Sequence, residues 1–187
     1  MLCKPPVAEI KKDILLFRED FLFIPHKQRW FRMKLMYINP FLESTSYIFG
    51  QFQLSCQVGN PILQETPFSG KEILTVVGVT GEIRGQIDLG IPMASALKIV
   101  SKMMGGVDVP SFDSMAQSAI CELSNMICGN AITRFSKEGI LLDITPPTLI
   151  LGNKMEVAAV KMRVLSIPVL IEGMESLEMN IVLEEKK

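Results

Sequence analysis

Histidine is nearly missing from this chain, with one residue, His26, in 187. Zinc sites built from Cys and His, and hydrolases that pair a nucleophile with an imidazole base, have almost nothing to work with. The four cysteines, Cys3, Cys56, Cys121 and Cys128, show no C-x-x-C spacing. Cys121 and Cys128 fall two turns apart on one predicted helix, too far for a disulfide, so the cysteines read as free thiols in a reducing cytoplasm. Long apolar runs are lacking too: no stretch approaches the roughly 20 residues that cross a bilayer. The first 30 residues mix apolar positions with K-K-D, R-E-D and H-K-Q-R, which makes a poor signal peptide. Nor does one sign of charge dominate: 19 Lys+Arg against 20 Asp+Glu leave a net charge of -1, without a basic, aromatic-interleaved block. Nothing here draws the chain to nucleic acid or to an anionic membrane. A cytoplasmic protein without a metal of its own is expected.

What is present is enough apolar material for one well-packed domain, 48% hydrophobic against 21% charged. Residues 1–32 stand apart as an N-terminal extension. Ile10–Phe23 is expected as a short amphipathic helix with Ile14, Leu15, Phe17, Phe21 and Leu22 on its apolar side, and Pro25–Trp30 as irregular. Two readings of the extension stay open: an arm for a membrane or partner, and an upstream segment before a true start at Met33 or Met36. The second is the plainer, and the intact mass of the native protein decides between them.

Residues 33–187 form the domain. Asn39 is expected to cap a helix with Pro40 at its first position, and Phe41, Leu42, Thr45, Ile48, Phe49 and Phe52 recur on its core side. Gly59-Asn60-Pro61, Pro67 and Ser69-Gly70 punctuate Gln57–Gly70. Lys71–Ile91 predicts a hairpin turning at Thr80-Gly81-Glu82. Its G-V-T-G-E-I-R-G lacks the spacing, the following helix and the lysine of a nucleotide loop. Pro92–Met104 is a second helix, stopped by Gly105-Gly106. Ser114–Phe135 begins the longest helix, capped by Asp113 or Ser114 and closed by Gly139. Ile140–Gly152 reads as extended around Pro146-Pro147, and Glu156–Glu172 as β-rich. Beyond a hairpin at Gly173, Leu177, Met179, Ile181 and Leu183 alternate as a half-exposed strand. Helix 40–52 with strands 73–91 echoes helix 114–137 with strands 157–184. An α+β fold is expected, two long helices packed on a mostly antiparallel sheet with pseudo-twofold halves.

The long helix carries the chemistry. At about 100° per residue, Ala116, Ala119, Ile120, Leu123, Met126, Ile127 and Ala131 share one broad side. Asn130 shares it too and reads as a buried structural amide. Ser114, Ser118, Glu122, Asn125 and Gly129 fall opposite, with no Lys or Arg among them. Gly129 costs about 1 kcal/mol against alanine inside a helix, and close approach by another backbone would explain it. Spacing alone leaves two readings open, a docking face and an ordinary solvated face, since chance often supplies a pair as short as E-x-x-N.

The strings E-L-S-N-M-I-C-G-N-A (Glu122–Ala131) and L-D-I-T-P-P-T-L-I-L-G (Leu142–Gly152) resemble the CheX branch of the CheC/CheX/FliY family of bacterial chemotaxis phosphatases. Y-I-N-P-F-L-E-S-T (Tyr37–Thr45), G-V-T-G-E-I-R-G (Gly78–Gly85) and A-L-K-I-V-S-K-M-M-G (Ala96–Gly105) fit the same family in the same order. The resemblance covers residues 33–187 and implies hydrolysis of the aspartyl phosphate on a CheY-type response regulator, which ends a motility signal. It implies that Asn125 orients the attacking water and that Glu122 pairs with a lysine of the partner. Ser118 and Gly129, on the same short-residue strip of the long helix, are expected in the docking surface, and the resemblance further implies that magnesium belongs to the partner's receiver domain and that the chain forms a homodimer. The related CheC branch carries the motif on two helices. Here the first helix offers Glu43 with Ser46 in place of an asparagine, so one active centre per chain is expected. The competing reading is a non-catalytic module of the same fold that binds a receiver or flagellar-switch protein.

Overall fold

Two hairpins of apolar strands organise the molecule, and two antiparallel helices cover one face of the sheet they build. The computed structural model describes residues 16–18, 21–26, 29–159 and 162–185, with the course of the backbone alone for 16–35 and 185. The first strands, β1 (Leu16–Arg18), β2 (Phe21–His26) and β3 (Arg29–Lys34), pair antiparallel as a separate sheet. Helix α1 (Asn39–Gln51) leads through β4 (Cys56–Val58), β5 (Ile62–Gln64) and β6 (Phe68–Ser69) to a first hairpin, β7 (Ile73–Gly81) and β8 (Ile83–Ile91). Helices α2 (Met93–Met103) and α3 (Ser114–Lys137) follow. Then come β9 (Leu142–Ile144), β10 (Thr148–Leu151), β11 (Glu156–Val157) and a second hairpin, β12 (Val164–Ile171) with β13 (Leu177–Glu185).

The hairpins meet where β8 pairs with β13, in an eight-stranded sheet ordered β10-β7-β8-β13-β12-β4, with β9 also on β7 and β5 also on β12. Across the seam Ile87 faces Ile181 and Leu89 faces Met179. Opposed residues point to one face, so these side chains present a continuous apolar surface. Helices α1 and α3 cover it through Phe41, Phe49, Ile120, Leu123, Ile127 and Phe135, each no more than 1% exposed. The seam itself needs Gly85: at φ +149° its missing Cβ position is taken by the carbonyl of Val182. Phe41 and Phe135 meet edge to face at 5.4 Å between ring centroids. Ser44 reaches Asn130, so α1 and α3 run antiparallel. The observed architecture is the expected one, α+β with two long helices on a mostly antiparallel sheet of two related halves.

Four local expectations are corrected. Ile10–Phe23 is not a helix where it is described: Leu16–Arg18 and Phe21–Phe23 are extended, while 10–15 and 19–20 lie outside the described residues. The expected irregular stretch Pro25–Trp30 is also strand at Pro25-His26 and Arg29-Trp30, residues 27–28 lying outside the described ones. Phe21, Phe23, Ile24, Trp30 and Phe31 are aromatic or β-branched, which favours a pleated surface, and Pro25 cannot continue a helix. Asn39 is the first residue of α1 rather than its cap, a shift of one position, with Ile38 before it and no side-chain cap. Finally, β13 is not half-exposed: Asn180 and Val182 are 2% exposed, because β13 is central in the sheet and Val182 packs in a second buried cluster with Phe68 and with Val164 of the neighbouring strand.

That second face buries a polar row. Asp88 is 1% exposed, and Gln86 Nε2 donates to both its carboxylate oxygens at 2.9 and 3.0 Å. Burial pushes the Asp88 carboxyl up to about 6, against the lowering effect of Gln86. Asn180 stands opposite Asp88 across the strands, and its buried Oδ1 has no hydrogen-bond partner among the described residues.

Candidate functional site

Both ends of α3 are fixed by local chemistry. Asp113 Oδ1 accepts from Ala116 N at 3.0 Å. At the far end Gly139, at φ +81°, lets Ile140 N reach Phe135 O and its own N–H reach Ser136 O, a closed left-handed cap. Between the ends, Ala116, Ile120, Leu123, Ile127, Ala131 and Phe135 are buried at helical spacing against the sheet. A buried hydroxyl pair pins the middle, Thr75 Oγ1 and Ser124 Oγ being 2.6 Å apart.

The orientation of the opposite face follows. Ser118, Glu122 and Asn125 are exposed, and Gly129 is half-buried. Ser118 Oγ donates to Ser114 O at 2.9 Å, so its hydroxyl is engaged within the helix. Glu122 and Asn125 make no hydrogen bond or ion pair with another described residue, so their polar atoms stand free on a rigid helix. An added Cβ at Gly129 would meet nothing within 4 Å. The close approach inferred for Gly129 therefore does not come from the described residues.

Asn130 sits at the joint between the helices, half-buried rather than buried. Its Oδ1 accepts from Ser44 Oγ and from Arg134 Nε, each at 3.0 Å. Arg134 Nη1 also reaches Glu43 Oε2 at 2.6 Å. Spacing along α3 alone leaves this network unread, because Glu43 and Ser44 come from another helix. Burial raises the thiols of Cys56, Cys121 and Cys128, that of Cys128 to about 12, which makes them poorer nucleophiles than a free cysteine. Among the described residues no group of three or more His, Cys, Asp or Glu side chains is placed to hold a metal ion. No helix among them is long and apolar enough to cross a membrane.

A free carboxylate and a free carboxamide on one helix face, with no metal cluster among the described residues, can bind and orient groups brought by another molecule. The family profile described as "Chemotaxis phosphatase CheX" matches residues 73–170, just over half of the chain. The chain is 34% identical over 109 residues to the CheY-P phosphatase CheX of Thermotoga maritima, covering 58% of this chain and 70% of that protein. Its fold matches a CheC-like superfamily protein from a Shewanella species at a TM-score of 0.74 and 22% identity, over 81% of this chain and 99% of that one. It also matches a chain of the CheX-CheY-BeF3-Mg complex from Borrelia burgdorferi at a TM-score of 0.69 and 28% identity, over 80% and 98% of the two chains. On the profile match and the identity to the Thermotoga protein, with the fold in agreement, this chain belongs to the CheX family of chemotaxis phosphatases.

Proposed function

We propose that the protein accelerates hydrolysis of the aspartyl phosphate on a CheY-type response regulator, with Asn125 and Glu122 as the acting pair. The observation that carries the reading is the exposed Glu122–Asn125 pair, without intrachain partners among the described residues, on the anchored helix of a CheX-family chain. Phosphoryl transfer asks mainly for positioning and charge neutralisation. An amide is suited to positioning, since Oδ1 of Asn125 accepts from the attacking water while Nδ2 donates. Water forms the new bond to phosphorus, and the bond to the aspartyl oxygen breaks. Glu122 pairs with a lysine of the receiver and fixes the docking, while Ser118 and Gly129 lie in the contact surface. Magnesium comes with the receiver and supplies charge neutralisation at the phosphoryl group. Assembly as a homodimer and a cytoplasmic location complete the proposal.

Phosphate release from a phosphorylated receiver, with and without this protein, is the test. Asn125→Ala should return release to the receiver's own rate while the circular dichroism spectrum stays that of the wild type. Undiminished acceleration in that variant sinks the assignment. Receiver binding by the wild type without acceleration establishes instead the non-catalytic module.

A further inference from the structure

Between α1 and α3 the surface drops into a groove of about 840 Å³ whose α3 wall starts at Asn130, the residue after Gly129. We propose that this groove, with Tyr47 as its anchor, grips the receiver domain next to the residues that act on its phosphate. The inference takes the identity of the occupant from the activity proposed above.

Tyr47 is 49% exposed and Met36 is 38% exposed, and both line the groove. Because α1 runs antiparallel to α3, Tyr47 lies a turn beyond Ser44, which reaches Asn130, and so on the side toward Asn125. Thr133 lines the groove from α3. It stands eight residues past Asn125, about 12 Å along the helix axis. A specific interface covers about 800 Å² on each partner, a disc of about 16 Å radius. A receiver seated with its phosphate at Asn125 therefore has room in its footprint for Thr133 and the mouth of the groove.

The groove wall is already stiff. Glu43, Arg134, Asn130 and Ser44 satisfy one another across the two helices. Lys137 and Glu138 are exposed at the C-terminal end of the groove, and the phenol ring of Tyr47 and the thioether of Met36 are its exposed large hydrophobic side chains. A tyrosine offers a wide contact area for few torsions and is over-represented among residues that carry binding energy. Gly129, open on its outer side, leaves the path between Asn125 and the groove level.

The experiment measures calorimetric binding of a CheY-type receiver from the same genome, loaded with beryllium fluoride and magnesium, in parallel with phosphate release. Wild type, Tyr47→Ala, Tyr47→Phe and Asn125→Ala are compared. Tyr47→Ala should weaken binding about tenfold or more and raise the receiver concentration for half-maximal release by the same factor. Its saturating rate and melting temperature should stay those of the wild type, and Tyr47→Phe should bind normally. Wild-type affinity in Tyr47→Ala overturns the groove assignment; if Asn125→Ala still loses release, the activity stands without the groove. Tyrosine-dependent binding with no acceleration of release keeps the groove and removes the phosphatase reading. No binding by the wild type overturns both. Loss of self-association in Tyr47→Ala with unchanged receiver affinity assigns the groove to a second copy of the chain and overturns the proposal.

Discussion

Replacing Gly129 by alanine should make the fold more stable and the protein a poorer phosphatase. Gly129 lies well inside the 24-residue helix α3. A glycine there costs about 1 kcal/mol against alanine, because its backbone loses the most freedom on folding. The new methyl would meet nothing within 4 Å, so no intrachain clash offsets the gain. The Gly129 carbonyl keeps its bond from Thr133 Oγ1 at 3.0 Å. A gain of about 1 kcal/mol raises the melting temperature by about 2–4 °C in a chain of this size. On the proposed docking face the same methyl stands in the contact plane, one turn past Asn125. A tenfold loss of receiver affinity, about 1.4 kcal/mol, is the expected consequence. Thermal unfolding and phosphate release at sub-saturating receiver read the two effects separately. Higher stability with unchanged release refutes the docking role of Gly129. Lower stability refutes the open space around it.

Two further predictions concern the buried polar groups. Burial raises the Asp88 carboxyl from 3.8 to about 6 in the folded chain, so the folded state holds that proton more tightly than the unfolded one. The stability tied to the proton is fully present below pH 4 and is lost as pH rises through 6, on the order of 3 kcal/mol. Asp88→Asn keeps an acceptor for Gln86 and sets a donor opposite the orphaned Asn180 Oδ1. It should stabilise the protein in urea at pH 7.5 by about 1–3 kcal/mol, with the advantage gone by pH 4; a less stable variant at pH 7.5 contradicts this. Ser124→Ala or Thr75→Val alone should cost about 1–3 kcal/mol by orphaning the other hydroxyl, and the double variant less than the sum. Strictly additive losses would mean that the two hydroxyls do not depend on each other.

Legibility in the sequence follows the range of the interactions. The start and stop of α3 are readable because Asp113 and Gly139 act within a few residues of the turns they close. The inward face of α3 is readable because Ile120, Leu123 and Ile127 recur at the helical period. The three N-terminal strands are not, since Phe17, Phe21 and Leu22 also suit a helix and the deciding contacts are pairings between strands. The burial of β13 is hidden for a related reason: its cover comes from Phe68, far away in the chain. Asp88, between Ile87 and Leu89, is masked by the apolar run around it, although a carboxylate inside such a run is itself a signal. Tyr47 escapes because helical spacing sorts the core side of α1 and leaves its outer side undifferentiated. Which side of α3 faces outward can be read from spacing; that Glu122 and Asn125 find no partner among the described residues needs coordinates.

The two halves of the fold are alike in skeleton and unlike in chemistry, and the difference bears on how many acting faces one chain holds. Glu43, Ser46 and Gly50 on α1 stand at the spacing of Glu122, Asn125 and Gly129 on α3. Thr45 and Ser124 place a buried hydroxyl at the same step, and Gly50, like Gly129, has nothing within 4 Å of an added Cβ. Yet Glu43 is held by Arg134 at 2.6 Å, and Ser46 is turned to the thiol of Cys56, whose burial-raised pKa its hydrogen bond partly offsets. A carboxylate already paired with a guanidinium has less to offer a partner's lysine, since the exchange breaks one ion pair to make another. A hydroxyl is also shorter than a carboxamide and cannot extend an acceptor and a donor together toward a water and a phosphoryl group. On the proposed mechanism the α1 face therefore lacks both functions. The ion pair that occupies Glu43 also braces the wall of the groove between α1 and α3, so on the proposed mechanism the face without the chemistry serves the face that has it.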